Sequence, residues 1–313
     1  MKALVYKSTG SWYAVKDNSG RFYNARMKGV FKIDDITSTN PVAVGDEVEL
    51  EIENETEGTV VITKIYDRRN YINRQSPRAK YQQHIIAANI DQSLLMATLK
   101  EPKTSQGFID RFLVASEMYH VPSIIVFNKA DLYGKKEMQK FDGWKKMYEA
   151  IGYKIILMSV NESKGIGEVK ELLKGKITLI SGHSGVGKSS LLNVILPELQ
   201  LKTQDVSGWS GKGIHTTTFA EMFDLPSDNH RDGGKIIDTP GMREFGLIGI
   251  TKQELSHYFP EMRIRLNGCQ FNNCLHINEP GCMIKKAVED KEIHEDRYVS
   301  YVNILNSIEE KSY

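Results

Sequence analysis

Three cysteines are all that this chain of 313 residues carries. An odd count of that size argues against a disulfide framework. No apolar run approaches the roughly 20 residues needed to span a bilayer, so no membrane partner is expected. Residues 1–6 are too few and too polar for a secretory signal, so a cytoplasmic location is expected. Net charge is also nearly missing: 41 Lys and Arg stand against 40 Asp and Glu, leaving +1. The global charge therefore neither favours nor excludes nucleic acid, and only a local patch can do so. There is no long internal repeat and no low-complexity segment. At 40% hydrophobic and 26% charged the balance is that of a globular protein, long enough for two or three domains.

What the sequence does have is Gly182-His183-Ser184-Gly185-Val186-Gly187-Lys188-Ser189, a G-x-x-x-x-G-K-S phosphate-binding loop. The apolar, partly β-branched residues 176–181 precede it as a buried strand, and residues 190–196 follow as a helix stopped by Pro197. The glycines let backbone N–H groups turn toward phosphate oxygens, and the helix N-terminus adds its positive dipole end. Lys188 is expected at the β- and γ-phosphates and the Ser189 hydroxyl at Mg²⁺, with Ser190 counted among the GTP-binding residues. His183 and Ser184 occupy variable positions and read as bland.

Residues 1–70 read as five or so short strands separated by turns, a pattern that suits a small OB-type barrel. Tyr23, Arg26, Lys28, Phe31 and Lys32 form either an RNA-binding face or a mixture of core aromatics and solvated charge, and the segment alone does not separate the two. The basic stretch 68–74 reads as a linker. Beyond it, residues 85–91, 122–127 and 154–158 read as buried strands, and 108–119 and 135–150 as helices. Strands alternating with helices imply a mostly parallel sheet covered on both faces. The loop strand and residues 235–237 complete it. After about residue 247 strands stop, and residues 252–258, 284–289 and 296–310 look helical.

Asn128-Lys129-Ala130-Asp131 follows a buried strand directly and matches N-K-x-D. The Asp131 carboxylate can accept from both N1–H and the 2-amino group of guanine, whereas adenine offers neither donor. Asn128 is expected to bond the N7 edge and to tie the phosphate loop, with the Lys129 stem along the base. Ser159-Val160-Asn161 stands where GTPases carry S-A-x, whose backbone N–H, here that of Val160, meets guanine O6. Asp238-Thr239-Pro240-Gly241 is D-x-P-G, in which Asp238 supports Mg²⁺ and the Gly241 N–H senses the γ-phosphate. Between these motifs lies Gly213-Ile214-His215-Thr216-Thr217-Thr218, and Thr217 is the expected third Mg²⁺ residue. Met242 stands where Ras-like enzymes place a water-orienting glutamine. His215 is the internal candidate to complete catalysis, weighed evenly against a solvent-exposed loop histidine.

All three cysteines fall in Cys269-x4-Cys274-x-His276-x5-Cys282. Three thiolates and one imidazole would make a closed tetrahedral site for one structural Zn²⁺ per chain, although the spacing is not the common C-x2-C knuckle; the other reading is three buried thiols and a surface histidine. The last helix is read as carrying Lys291, Arg297 and several tyrosines, and packing on its own domain is favoured there over an RNA contact.

The order of the motifs is circularly permuted, because N-K-A-D precedes G-H-S-G-V-G-K-S, which precedes H-T-T-T, D-T-P-G and the cysteine cluster. On those motifs the chain resembles, over its whole length, the ribosome small-subunit-dependent GTPase A family, also known as YjeQ/YloQ. The resemblance implies a multidomain α/β protein. An OB-fold RNA-binding domain would span 1–72, a circularly permuted P-loop GTPase domain 73–246, and a mostly helical zinc-binding domain 247–313. It also implies a monomer that binds GTP and GDP, the small (30S) ribosomal subunit and its 16S rRNA. Hydrolysis would be stimulated by that subunit during its late maturation. Relatives often carry arginine where Ile214 stands. An RNA-binding protein with a slow nucleotide switch is the second reading. A small-metabolite kinase is disfavoured by Asn128 and Asp131.

Overall fold

The computed structural model describes residues 1–28, 41–54, 59–75, 83–199, 220–226, 233–239, 247 and 249–308. Phe31, Lys32, Ile214, His215, Thr217, Gly241 and Met242 lie outside the described residues.

Alternating apolar residues build five strands at the N-terminus: β1 (Lys2–Ser8), β2 (Tyr13–Asp17), β3 (Phe22–Met27), β4 (Glu47–Asn54) and β5 (Thr59–Ile65). Val5, Val15, Ala25, Val48, Val60 and Ile62 point inward and are fully buried. The strands run β1-β2-β3-β5-β4, with β3 parallel to β5, and β1 pairs with β4 to close the barrel. That is the expected OB order. Arg26 and Lys28, the basic residues of that candidate face among those described, are exposed and ion-paired. Arg26 is exposed and lies 5.5 Å over the Trp12 ring, but it is also paired with Glu53 at 2.7 Å. Lys28 is likewise paired with Glu51 at 2.7 Å.

The central sheet is built from β8 (Gln92–Ala97), β9 (Ser123–Phe127), β10 (Lys154–Leu157), β11 (Ile177–Ser181), β12 (Glu221–Asp224) and β13 (Lys235–Asp238). Its order is β10-β9-β8-β11-β13-β12, parallel except for β12. Successive residues face opposite layers. Leu95, Ile125, Leu179 and Ile237 pack under α1 (Gln106–Met118) and α2 (Lys135–Ala150). Leu94, Ile124, Ile180 and Ile236 pack against α3 (Ile166–Leu173) and α4 (Lys188–Ile195).

Residues 85–91 are not a strand of this sheet: β7 (Gln83–Ala88) pairs antiparallel with β6 (Tyr71–Gln75) in a separate two-stranded ribbon. The basic stretch 68–74 is no free linker, because it contains the start of β6, and Arg68 forms a buried pair with Asp46 at 2.6 Å.

Barrel and sheet meet where β12 pairs with β1 at Lys7 and Glu221. Beside that pairing, Asp224 accepts from Tyr6 Oη at 2.6 Å, Lys16 Nζ at 2.6 Å and Lys235 Nζ at 2.8 Å. Partial burial pushes the Asp224 pKa up, but these donors outweigh it and lower it from the ordinary 3.8 to about 2. The folded-state pKa lies below the unfolded one. The resulting stability is present above 3.8 and is lost as pH falls toward 2. The side chain is 36% exposed, so solvent screens part of the effect. We expect Asp224→Asn to lower stability at neutral pH by about 1–2 kcal/mol. Urea unfolding across pH checks this: the gap to the parent should close below about pH 4.

The C-terminal segment holds α5 (Pro260–Arg263), α6 (Met283–Glu289) and α7 (Glu295–Ser307). Their core of Leu255, Phe259, Met262, Ile284, Tyr301 and Ile304 takes in Val114 from α1. Arg297 of α7 is 1% exposed. It donates to Asp110 of α1 at 2.6 Å and to Glu261 of α5 at 2.7 Å, while Tyr148 of α2 donates to Asp110 at 2.8 Å. Arg297 is therefore part of a buried joint between α7 and α1, and not an RNA contact. Truncating Arg297 alone would leave Asp110 and Glu261 buried without their cation, which typically costs about 3–5 kcal/mol.

Candidate nucleotide site and metal cluster

The phosphate loop leaves β11 at Ser181 and enters α4 at Lys188. Two of its glycines are obligatory. At Gly182, φ is +146° and a Cβ would lie 2.4 Å from the Met96 carbonyl oxygen. At Gly187, φ is +98° and a Cβ would lie 2.3 Å from Asn128 Nδ2. Val186 is buried between them, while Ser184 and Gly185 are exposed. Lys188 Nζ folds onto its own loop, donating to the Gly182 carbonyl at 2.7 Å and the His183 carbonyl at 2.8 Å. Burial lowers its pKa, and the Asp238 charge works against that. His183 is not bland: its ring lies on Phe108 of α1 with centroids 3.6 Å apart. Burial, and then the Lys188 cation, lower its pKa.

Asn128 is 2% exposed and joins three loops. Its Nδ2 donates to the Val186 carbonyl of the phosphate loop at 2.8 Å. Its Oδ1 accepts from Val160 N–H at 3.3 Å. The tie to the phosphate loop is as expected. The Val160 N–H, expected to face a guanine oxygen, here faces Asn128 through a long bond. Lys129 takes a left-handed conformation with φ 63° and donates to the Glu101 carbonyl. Asp131 accepts from Ser159 Oγ at 2.6 Å on one oxygen and from Asn161 Nδ2 at 3.1 Å on the other. Partial burial raises its pKa, but those two donors outweigh it and leave it lowered.

Asp238 ends β13 directly beside Ile180 of the loop strand and is 6% exposed. The Ser189 hydroxyl, in the first turn of α4, and the Asp238 carboxylate are hard oxygen donors of the kind Mg²⁺ takes.

In the C-terminal segment, one ligand atom each from Cys269, Cys274, His276 and Cys282 lies within 4.8 Å of the others. His276 Nδ1 sits 3.4 Å from Cys282 Sγ and 3.7 Å from Cys269 Sγ. A tetrahedral metal with Zn–S and Zn–N bonds of ordinary length separates its ligand atoms by about 3.5–3.8 Å, so the donor set fits. The surroundings hold the loop from two sides. Glu279 accepts from the N–H groups of Leu275, Ile277 and Asn278 at 2.8, 2.9 and 3.0 Å. Tyr298 Oη donates to the His276 carbonyl at 2.6 Å, and Tyr301 Oη to that of Leu275 at 2.9 Å. Glu279 and these tyrosines carry no motif of their own.

A phosphate loop, an N-K-x-D loop laced to it by Asn128, and an aspartate at the end of the adjacent strand define a circularly permuted P-loop GTPase with an N-terminal OB barrel. Comparison with known proteins agrees. Residues 65–248 match the RsgA GTPase family and residues 2–60 the RsgA N-terminal domain. The chain belongs to the RsgA family of GTP-hydrolysing enzymes. A protein from Bacteroides fragilis (strain YCH46) named small ribosomal subunit biogenesis GTPase RsgA is 47% identical over 313 residues, covering 100% of this chain and 99% of that protein. One of the same name from Cytophaga hutchinsonii is 50% identical over 305 residues, covering 97% and 98%. The crystal structure of YjeQ from Thermotoga maritima superposes with a TM-score of 0.76 at 33% identity, covering 98% of this chain and 97% of that one. That of YloQ, described as a circularly permuted GTPase, gives 0.74 at 29% identity, covering 100% and 96%.

Proposed function

We propose that this chain acts in biogenesis of the small ribosomal subunit as a GTPase whose turnover that subunit stimulates. The observation that carries the nucleotide reading is Asn128. Its side chain reaches both the phosphate loop and the Ser159 loop, although the permutation puts it about sixty positions ahead of the former. In this reading Asn128, Lys129, Asp131, Ser159 and Val160 surround the guanine. The loop 182–190 holds the phosphates, with Gly241 at the γ-phosphate. Ser189, Thr217 and Asp238 would hold Mg²⁺, which offsets phosphate charge when bound. Cys269, Cys274, His276 and Cys282 would hold one structural Zn²⁺, with no open position for chemistry.

The divisions 1–72, 73–246 and 247–313 serve this reading as barrel, GTPase and zinc domains. The partners are GTP, GDP and the small (30S) subunit with its 16S rRNA, met by a monomer in the cytoplasm. Among the described residues no helix is long and apolar enough to cross a membrane. The buried Arg297 joint bears on coupling. It docks the C-terminal segment on α1, so re-aiming that segment after hydrolysis has to open the joint.

Met242 offers no group to orient water, so unassisted turnover should be slow and partner-dependent. The test is GTP hydrolysis titrated with purified small subunits, large subunits and free rRNA. Only small subunits should raise the rate, by about a hundredfold or more if positioned groups complete the site. His215→Ala should keep GTP affinity and lose most of that stimulation. Stimulated turnover at the parent rate removes His215 from the mechanism.

A further inference from the structure

We propose that Asn161 is a positioning residue for guanine selection, acting through Asp131. The inference rests on the reading of Asp131 as the guanine acceptor. An aspartate carboxylate turns on a soft sp³–sp² torsion, so its plane must be set from outside. Two donors set it here. The buried Ser159 hydroxyl donates to one oxygen at 2.6 Å. Its own oxygen accepts from the Glu162 N–H at 3.2 Å, which leaves its proton for Asp131. The Asn161 amide donates to the other oxygen at 3.1 Å from the solvent side.

One donor alone leaves the carboxylate free to pivot about that contact. Two donors, one on each oxygen, fix the plane and leave one lone-pair site per oxygen. Those two sites match the N1–H and 2-amino donors of guanine, of which hypoxanthine and xanthine keep only N1–H. The loop that presents Asn161 is closed. Ser159 and Lys164 exchange two backbone hydrogen bonds at 3.0 Å, and Ser163 N–H donates to the Val160 carbonyl at 3.2 Å. Asn161 is therefore held by backbone pairing while its side chain reaches Asp131. In the sequence it stood only as the open third position of the serine element.

The test compares affinities of the full chain for GDP, IDP and XDP by calorimetry. IDP lacks the 2-amino group, so the GDP-to-IDP ratio cancels whatever a substitution does to the phosphate loop or to folding. Asn161→Ala should reduce that ratio by about three- to tenfold, the net worth of one solvent-exposed hydrogen bond. Its IDP affinity should stay within about twofold. Asn161→Asp, which places a second carboxylate against the first, should reduce the ratio at least as far at pH 8. Asn161→Gln should restore part of it. An unchanged or increased ratio in Asn161→Ala overturns the proposal. Asp131→Asn is measured alongside. If it abolishes discrimination while Asn161→Ala does not, the positioning role fails and the guanine site stands. If neither changes the ratio, the guanine-site reading fails with it.

Discussion

Asp131→Asn should cost about a hundred- to ten-thousandfold in GDP affinity, because one charge-assisted hydrogen bond is lost and a second becomes neutral. The carboxylate presents two acceptors on the base side and takes one protein donor on each oxygen. An amide presents one acceptor and one donor. Whichever way it is turned, its NH₂ group meets a donor of the base, and one of its two protein contacts is weakened as well. With its oxygen toward Asn161, the NH₂ group meets Ser159 Oγ, which already accepts from Glu162. With its oxygen toward Ser159, the two amide NH₂ groups of the pair oppose each other.

Xanthine carries an oxygen where guanine carries the 2-amino group, so the same substitution should improve XDP affinity and reverse the preference. The phosphate loop is untouched, which keeps IDP the least affected ligand. Calorimetric titrations with the three diphosphates measure this directly. A GDP affinity within threefold of the parent would move the base site away from Asp131.

The motifs that define this site were legible because each is a short loop whose chemistry is set by spacing along the chain. Gly182 and Gly187 hold the positive-φ turns of the loop and Asn128 reaches it as expected, whereas Lys188 donates to the loop's own carbonyls. The failures concern elements whose partners are distant. Residues 85–90 are as apolar as any sheet strand and only Asp91 separates them from β8, so two successive elements read as one. β12 has four residues, too few to show a period, yet it carries the pairing to the barrel. Nothing local distinguishes Arg297 from a solvated arginine, because its partner Asp110 lies 187 positions away. Phe108 and His183 are likewise joined only by the fold. Local chemistry is written in consecutive letters, whereas burial of a charge is decided by whichever surface folds over it.

Cys274→Ser should remove the metal and unfold the C-terminal segment 249–308 while GDP binding is retained. The reason is the thinness of what remains. Between Leu266 and Cys282 the chain forms no strand and only one short turn of 3₁₀ helix, so ligand bonds and a few caps hold it. Those caps depend on the ligands. Tyr298 and Tyr301 donate to the carbonyls of His276 and Leu275, groups the loop presents only while the cluster is closed. Structural Zn²⁺ in small modules is worth about 10–16 kcal/mol near neutral pH, as much as a whole domain's net stability. Burial pushes the Cys274 thiol up to about 12, so in metal-free protein it stays protonated and adds no charge to replace what is lost. Metal loading must displace that proton, and occupancy should therefore weaken as pH falls. Unfolding of α7 frees Arg297, and Asp110 keeps its bond from Tyr148 and gains water. The central sheet loses one docked face but none of its strands, so the nucleotide site survives. Metal analysis should give one zinc per parent chain and none in the variant, with amide exchange across 249–308 rising to unprotected rates. A zinc-free variant whose α6 and α7 amides stay protected would show that the apolar core of Phe259, Met262, Ile284 and Tyr301 suffices without the metal.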